Sequence, residues 1–154
     1  MIFLECEPDK ALLQTLGVPR KKINHSGSKG NLCNRLTKSK NCKGLVDEDP
    51  FSAQLSAQPS YIGTLKLLSS ENDIKLLYDK KSENYLIVLC PRLEEWILRA
   101  AKEASVNISD FGLPNEANQL HKIINTKVKI FVLLIKKIRG KSKMIETLER
   151  MIKS

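Results

Sequence analysis

No stretch of this 154-residue chain approaches the roughly 20 consecutive apolar residues needed to cross a bilayer. The longest candidate, Ile130 to Ile135, is bracketed by Lys129 and Lys136, so no membrane partner is expected. Close cysteine pairs are missing too. Cys6, Cys33, Cys42 and Cys90 are scattered, and only His25 and His121 are available to join them. A structural zinc site announces itself by closely spaced ligands, which argues against zinc here. Met1-Ile2-Phe3-Leu4-Glu5 has neither the basic start nor the small-residue cleavage site of a signal peptide, so the expected location is the cytoplasm. A disulfide framework is unexpected in that compartment, and the cysteines are read as small apolar fillers. His25, near a strand end, and His121, in a helical stretch, are expected to be satisfied or exposed rather than catalytic. The chain also lacks an internal repeat, a low-complexity tract and any Gly-x-x-x-x-Gly-Lys-Ser/Thr phosphate loop.

What is present fits one globular domain with a sizeable core: 42% hydrophobic and 28% charged residues. The net charge is +9, and it is unevenly placed. From Lys122 to Ser154 ten basic residues face only Glu146 and Glu149, a local excess of +8. Such a block attracts polyanions through phosphate contacts and counterion release. Taken by itself it reads first as a solvated lysine-rich face that keeps a small protein soluble. As a nucleic-acid contact it would use Lys136, Lys137, Arg139, Lys141 and Lys143.

The first fifty residues alternate. Met1 to Leu4 reads as a strand, Pro8 to Gly17 as a helix with Ala11, Leu12 and Leu16 on one stripe, and Lys22 to His25 as a second strand. Ser26 to Asn31 reads as a polar loop leading into a helix over Leu32 to Leu36, followed by the strand Gly44-Leu45-Val46. This order predicts a parallel sheet with right-handed crossovers, whose ligands bind beyond the carboxyl ends of the strands. Phe51 to Tyr61 reads as a surface loop. Gly63 to Leu68, Ile74 to Asp79 and Asn84 to Leu89 are predicted strands, the last two forming a hairpin through Lys80 to Glu83. From Pro91 onward the pattern is helical, with Leu93, Ile97, Ala100 and Ala104 on one stripe and Ile130, Leu134 and Ile138 on another. Trp96 is expected to pack rather than to stack on bases. Glu95 and Arg99, four apart, are expected to form an exposed ion pair.

Acidic residues fall at the predicted strand ends: Glu5 after the first strand, Asp47 and Asp49 after the third. A hard divalent cation takes oxygen ligands and is held by a few carboxylates, so these three are candidate Mg²⁺ or Mn²⁺ ligands and metal-dependent phosphoryl transfer is the leading expectation. Taken alone, Asp47-Glu48-Asp49-Pro50 is also an ordinary polar turn. The order of the pieces around it favours the site.

Glu after a first strand, a Gly/Lys loop after the second and Asp-x-Asp after the third resemble a Toprim domain, the metal-binding module of topoisomerases, primases and several nucleases. Within that superfamily, Phe3-Leu4-Glu5-Cys6-Glu7-Pro8-Asp9-Lys10 resembles the opening of OLD-family (overcoming lysogenization defect) Toprim nucleases, with Cys6 in place of the usual Gly. Gly27-Ser28-Lys29-Gly30-Asn31-Leu32 resembles that family's Gly-Gly-Lys loop, with Ser28 replacing the second Gly. Pro91 to Leu98 resembles the Glu-x-Trp helix of small standalone members. The resemblance covers roughly Met1 to Ala101.

It implies an α/β fold, a Toprim-like Rossmannoid sheet, mostly parallel and flanked by helices. Residues 1–104 would form the metal-binding domain and 105–154 a basic helical extension packed on it. It implies a nuclease in which Glu5, Lys29, Asp47 and Asp49 are catalytic, with Asp9 and Glu94 completing the ligand set for one or two Mg²⁺ or Mn²⁺ ions. Lys29 would neutralise phosphate charge. Nucleic acid is the implied partner, DNA ahead of RNA, with a separate ATPase as a further one. Two other readings stay open: a primase-like nucleotidyl transferase using the same carboxylates, and a non-catalytic nucleic-acid-binding or regulatory subunit. A topoisomerase would need Tyr61, Tyr78 or Tyr85 as nucleophile, and the chain lacks strand-passage machinery.

Overall fold

A computed structural model describes residues 1–49 and 60–154. Strands β1 (Ile2–Leu4), β2 (Ile23–His25), β3 (Lys43–Asp47), β4 (Lys66–Glu71), β5 (Ile74–Asp79) and β6 (Asn84–Leu89) form one sheet in the order β2-β1-β3-β6-β5-β4. Pairs β1–β2, β1–β3 and β3–β6 are parallel, whereas β4–β5 and β5–β6 are antiparallel. Helices α1 (Glu7–Thr15) and α2 (Lys29–Thr37) make the two crossovers. They are followed by α3 (Ser60–Gly63), α4 (Leu93–Glu103), α5 (Ala117–Ile123), α6 (Val128–Ile138) and α7 (Lys143–Lys153). The fold is therefore α/β, with a mostly parallel mixed sheet between helical layers.

Strand alternation decides which layer each side chain joins. Ile2, Leu4, Leu45, Ile87 and Leu89 face one core with α1 and α4 to α7, while Phe3, Val46, Leu86 and Val88 face a smaller core built on Leu32, Cys33 and Leu36 of α2. A side chain at Gly44 would stand 2.9 Å from Leu86 and 3.0 Å from Leu32, so α2 packs as closely as it does only because that position carries none. Residues 105–154 supply Leu120, Phe131, Leu134, Ile138, Leu148 and others to the same core as β1 and β3. Trp96 is fully buried, and its Nε1–H donates to Asn72 O at 3.1 Å. All four cysteines are free thiols, with Cys33 buried and the others half-buried.

Three expectations need correction. Lys29, Gly30 and Asn31 are not loop: they are the first turn of α2, because the Ser28 side chain accepts from Asn31 N and caps the helix. The strand expected over Gly63–Leu68 is Lys66–Glu71, since Ser60–Gly63 forms α3. Glu95 does not pair with Arg99. It takes both Nε and Nη2 of Arg92, and Arg99 instead pairs with Asp73 at 3.0 Å across the β4–β5 turn. The Phe51 to Tyr61 loop falls mostly on residues 50–59, outside the described residues, while Tyr61 lies in α3. Among the described residues, no helix is long and apolar enough to cross a membrane.

Candidate metal and phosphate cleft

The carboxyl ends of β1 and β3 lie side by side, and the chain leaves each through an acidic residue. Glu5 follows β1, Asp47 closes β3, and Asp9 sits in the first turn of α1. The exit of β3 is tied to the exit of β6 by Glu48 N donating to Leu89 O (2.9 Å) and Asp49 N donating to Pro91 O (2.8 Å). That seam delivers α4, whose Leu93 N donates to Asp47 Oδ1 at 3.0 Å. Asp47 thereby caps a helix 46 positions further along the chain, and Glu94 follows in that helix's first turn. His25 Nε2–H donates to Glu5 O at 2.8 Å, fixing the main chain at the β1 exit.

These side chains line one cleft of about 290 Å³. Glu5, Asp9, Asp47, Asp49, Glu94 and Lys29 all border it, so the structure brings every predicted metal or catalytic residue to one place. Gly27, with φ +85°, makes the turn before Ser28 in a conformation that L side chains rarely adopt. Lys29, at the start of α2, donates to Glu48 O at 3.4 Å, and its charge acts on Glu5.

The cleft is electrostatically unfavourable. Burial raises the Glu5 carboxyl above its ordinary range, with Lys29 opposing. Asp9 is pushed up to about 7, chiefly by burial, while the hydrogen bond from the Cys6 thiol (3.1 Å) counteracts and the charge of Glu5 adds to the rise. Asp47 is pushed up to about 9 by burial and then by Asp9, Glu5 and Glu94. Cys6 is itself raised far above a normal thiol, first by burial and then by Asp9, which makes it a poor nucleophile.

Several of these groups are also under-bonded. Glu5 Oε1, Asp9 Oδ1 and Glu94 Oε2 are buried, with no hydrogen-bond partner among the described residues. Two other buried oxygens share that condition, Ser26 Oγ and Glu149 Oε1, and the latter has Arg139 at 2.5 Å. Buried polar atoms normally find partners, so three orphaned carboxylate oxygens in one cleft call for a physical reason. Among the described residues, no three His, Cys, Asp or Glu side chains already stand around one point in a metal-holding arrangement. Asp9 Oδ2 and Glu94 Oε1 rest instead on protein groups, Cys6 and His121. The donors left over are hard oxygens, the set that suits Mg²⁺, Ca²⁺ or Mn²⁺ and not a thiolate-preferring metal.

Two cleft residues escape a reading of the sequence. His121 Nδ1 lies 2.7 Å from Glu94 Oε1, and Arg92, braced by Glu95 and by Asn118 Oδ1 (2.9 Å), borders the cleft as a fixed cation. Both depend on the docking of α5 against α4, which no local pattern signals; a basic residue at the mouth of the acidic Glu94 helix is the one available hint for Arg92.

The basic block lies elsewhere. Lys136, Lys137, Arg139, Lys141 and Lys143 are exposed, and none borders the cleft. Arg139 donates to Thr15 O (3.1 Å) at the end of α1 away from Asp9, about 9 Å along the helix. Tyr61, Tyr78 and Tyr85 do not line the cleft either: Tyr61 donates to Asp79 Oδ2 (2.8 Å), and the other two rings pack together at 4.9 Å.

No protein-family model matches the chain, and neither does any curated protein or solved structure.

Proposed function

We propose that this chain is a divalent-metal-dependent nuclease of the OLD-like Toprim type, hydrolysing phosphodiester bonds in DNA or RNA. The observation that carries the reading is the set of three buried, unpartnered carboxylate oxygens on Glu5, Asp9 and Glu94, sharing a cleft with Asp47, Asp49 and Lys29. A cation would offset the burial of these groups, which otherwise raise one another's proton affinity. Glu5, Asp47 and Asp49 would hold it, with Asp9 and Glu94 completing the set. When bound, Mg²⁺ or Mn²⁺ supplies Lewis-acid polarisation of a phosphoryl oxygen and acidifies water.

The chain's own groups do the rest. Lys29 stands at the first turn of a nine-residue helix whose N-terminal N–H groups favour an anion, so a phosphate on the cleft is met by the positive end of a helix and by the ammonium of Lys29. Arg92, held by Glu95, adds charge at the rim without having to be ordered when substrate arrives. Incubating the purified chain with supercoiled plasmid and with single-stranded RNA, in Mn²⁺, Mg²⁺ or EDTA, tests the reading. Cleavage that needs a cation and stops in EDTA is expected; intact plasmid and RNA under every condition would remove it.

A further inference from the structure

We propose that His121 is a positioning residue for Glu94, holding that carboxyl by Nδ1–H so that its second oxygen stays free of protein donors and open to a divalent cation; this rests on the metal-dependent reading above. The contact is short, 2.7 Å from Nδ1 to Glu94 Oε1, and it joins unlike environments: the Glu94 side chain is 6% exposed and the His121 side chain 60%. Glu94 Oε2, the oxygen His121 does not touch, is buried and unpartnered, and both residues line the cleft. A carboxyl with one oxygen bonded has its plane fixed, and groups behind ligands commonly act in this way.

The ring is itself held in place. Glu116 caps α5 by accepting from Asn118 N (3.1 Å) and Gln119 N (2.8 Å). Leu120 and Ile124 bury the adjoining positions in the main core, and Asn118 ties α5 to Arg92 at the start of α4. An ionised Glu94 accepts from a proton carried on His121 Nδ1. Residues beyond 104 thus reach the cleft through His121, beside Ile124 and Asn125.

The amide series separates positioning from packing, because Asn places an N–H near the Nδ1 position and Gln places one near Nε2. Manganese affinity of the full chain is read by calorimetric titration of Mn²⁺ alone into wild type, His121→Ala, His121→Asn and His121→Gln, each checked for folding by circular dichroism. His121→Ala and His121→Gln are expected to weaken binding by about tenfold or more, with His121→Asn recovering most of it. In a Glu94→Gln background, His121→Ala should have no added effect. Wild-type affinity in His121→Ala, or Asn and Gln variants weakened alike, overturns the assignment while leaving the metal site standing. Wild-type protein that takes up no Mn²⁺ removes both claims. Should His121→Ala not fold, the Asn-against-Gln comparison decides alone.

Discussion

The two ends of the parallel sheet treat charge in opposite ways. At the amino end, Lys43 Nζ donates to Met151 O (3.0 Å), Ile152 O (2.7 Å) and Ser154 O (2.5 Å), and so caps the last turn of α7. Arg139 joins the end of α1 to Glu149. Charge placed there finds a partner and fastens helices to the sheet. At the carboxyl end, acidic groups are buried beside one another, and three of their oxygens find nothing among the described residues. Partnered charge holds a fold together, whereas a cluster of like charge kept in a cleft opposes folding and persists where a ligand compensates it.

The largest expected break in this contrast is Lys29→Ala. Removing the ammonium from the cleft should lower cation-dependent cleavage about 10²-fold in a plasmid-nicking assay while leaving the Mn²⁺-induced rise in melting temperature intact. Cleavage at the wild-type rate would return Lys29 to the role of an ordinary helix-start residue.

Next comes pH. In the metal-free protein Asp9 and Asp47 hold protons up to about 7 and about 9 that an unfolded chain releases near pH 4. Between those limits the folded state binds more protons than the unfolded one, so the cluster's contribution to stability must fall as pH rises through the window. Urea melts of the metal-free chain at pH 5, 7 and 9 should show this decline, and Asp9→Asn/Asp47→Asn should flatten it. A metal-free stability that rises over the same range through this cluster would contradict the sign.

At the amino end, Lys43→Met removes three hydrogen bonds and should cost about 1–3 kcal/mol in urea unfolding without changing cleavage at saturating substrate. A drop in cleavage with stability unchanged would erase the distinction between the two ends.

How much of this is legible in the sequence follows the range of the interactions. The β1-α1-β2-α2-β3 order, the β5–β6 hairpin and the burial of Trp96 rest on local period and turn chemistry, and each is found in place. Glu5, Asp47 and Asp49 are readable as strand-end carboxylates because a parallel sheet puts such ends together. What pairing order, helix docking and competing caps decide is not readable. The shift of β4 reflects a short helix taking Ser60–Gly63, and the Arg92–Glu95 pair outcompetes the expected i,i+4 partner because Asp73 draws Arg99 away across the chain. His121 meets Glu94 from 27 residues away, a distance at which periodicity carries no information. The basic excess is visible, but its placement away from the cleft is not.

That placement bears on the smallest predicted effect. Neutralising Lys136, Lys137, Lys141 and Lys143 should lower nucleic-acid affinity and reduce the log–log salt slope by roughly 0.7 to 0.9 for each phosphate that is no longer neutralised, with cleavage at saturating substrate retained. Arg139 is better left in place, since it is committed to Thr15 and Glu149. An unchanged slope in fluorescence-anisotropy titrations would make the block a solvated face only.

The most direct measurement is the thermal unfolding of the full chain with and without Mn²⁺, in the wild type and in Asp47→Asn/Asp49→Asn. If the unpartnered carboxylates form a cation site, saturating Mn²⁺ raises the wild-type melting temperature by several degrees and leaves the double variant unmoved, because only the folded wild type binds. No shift in the wild type, or the same shift in both proteins, would contradict the account.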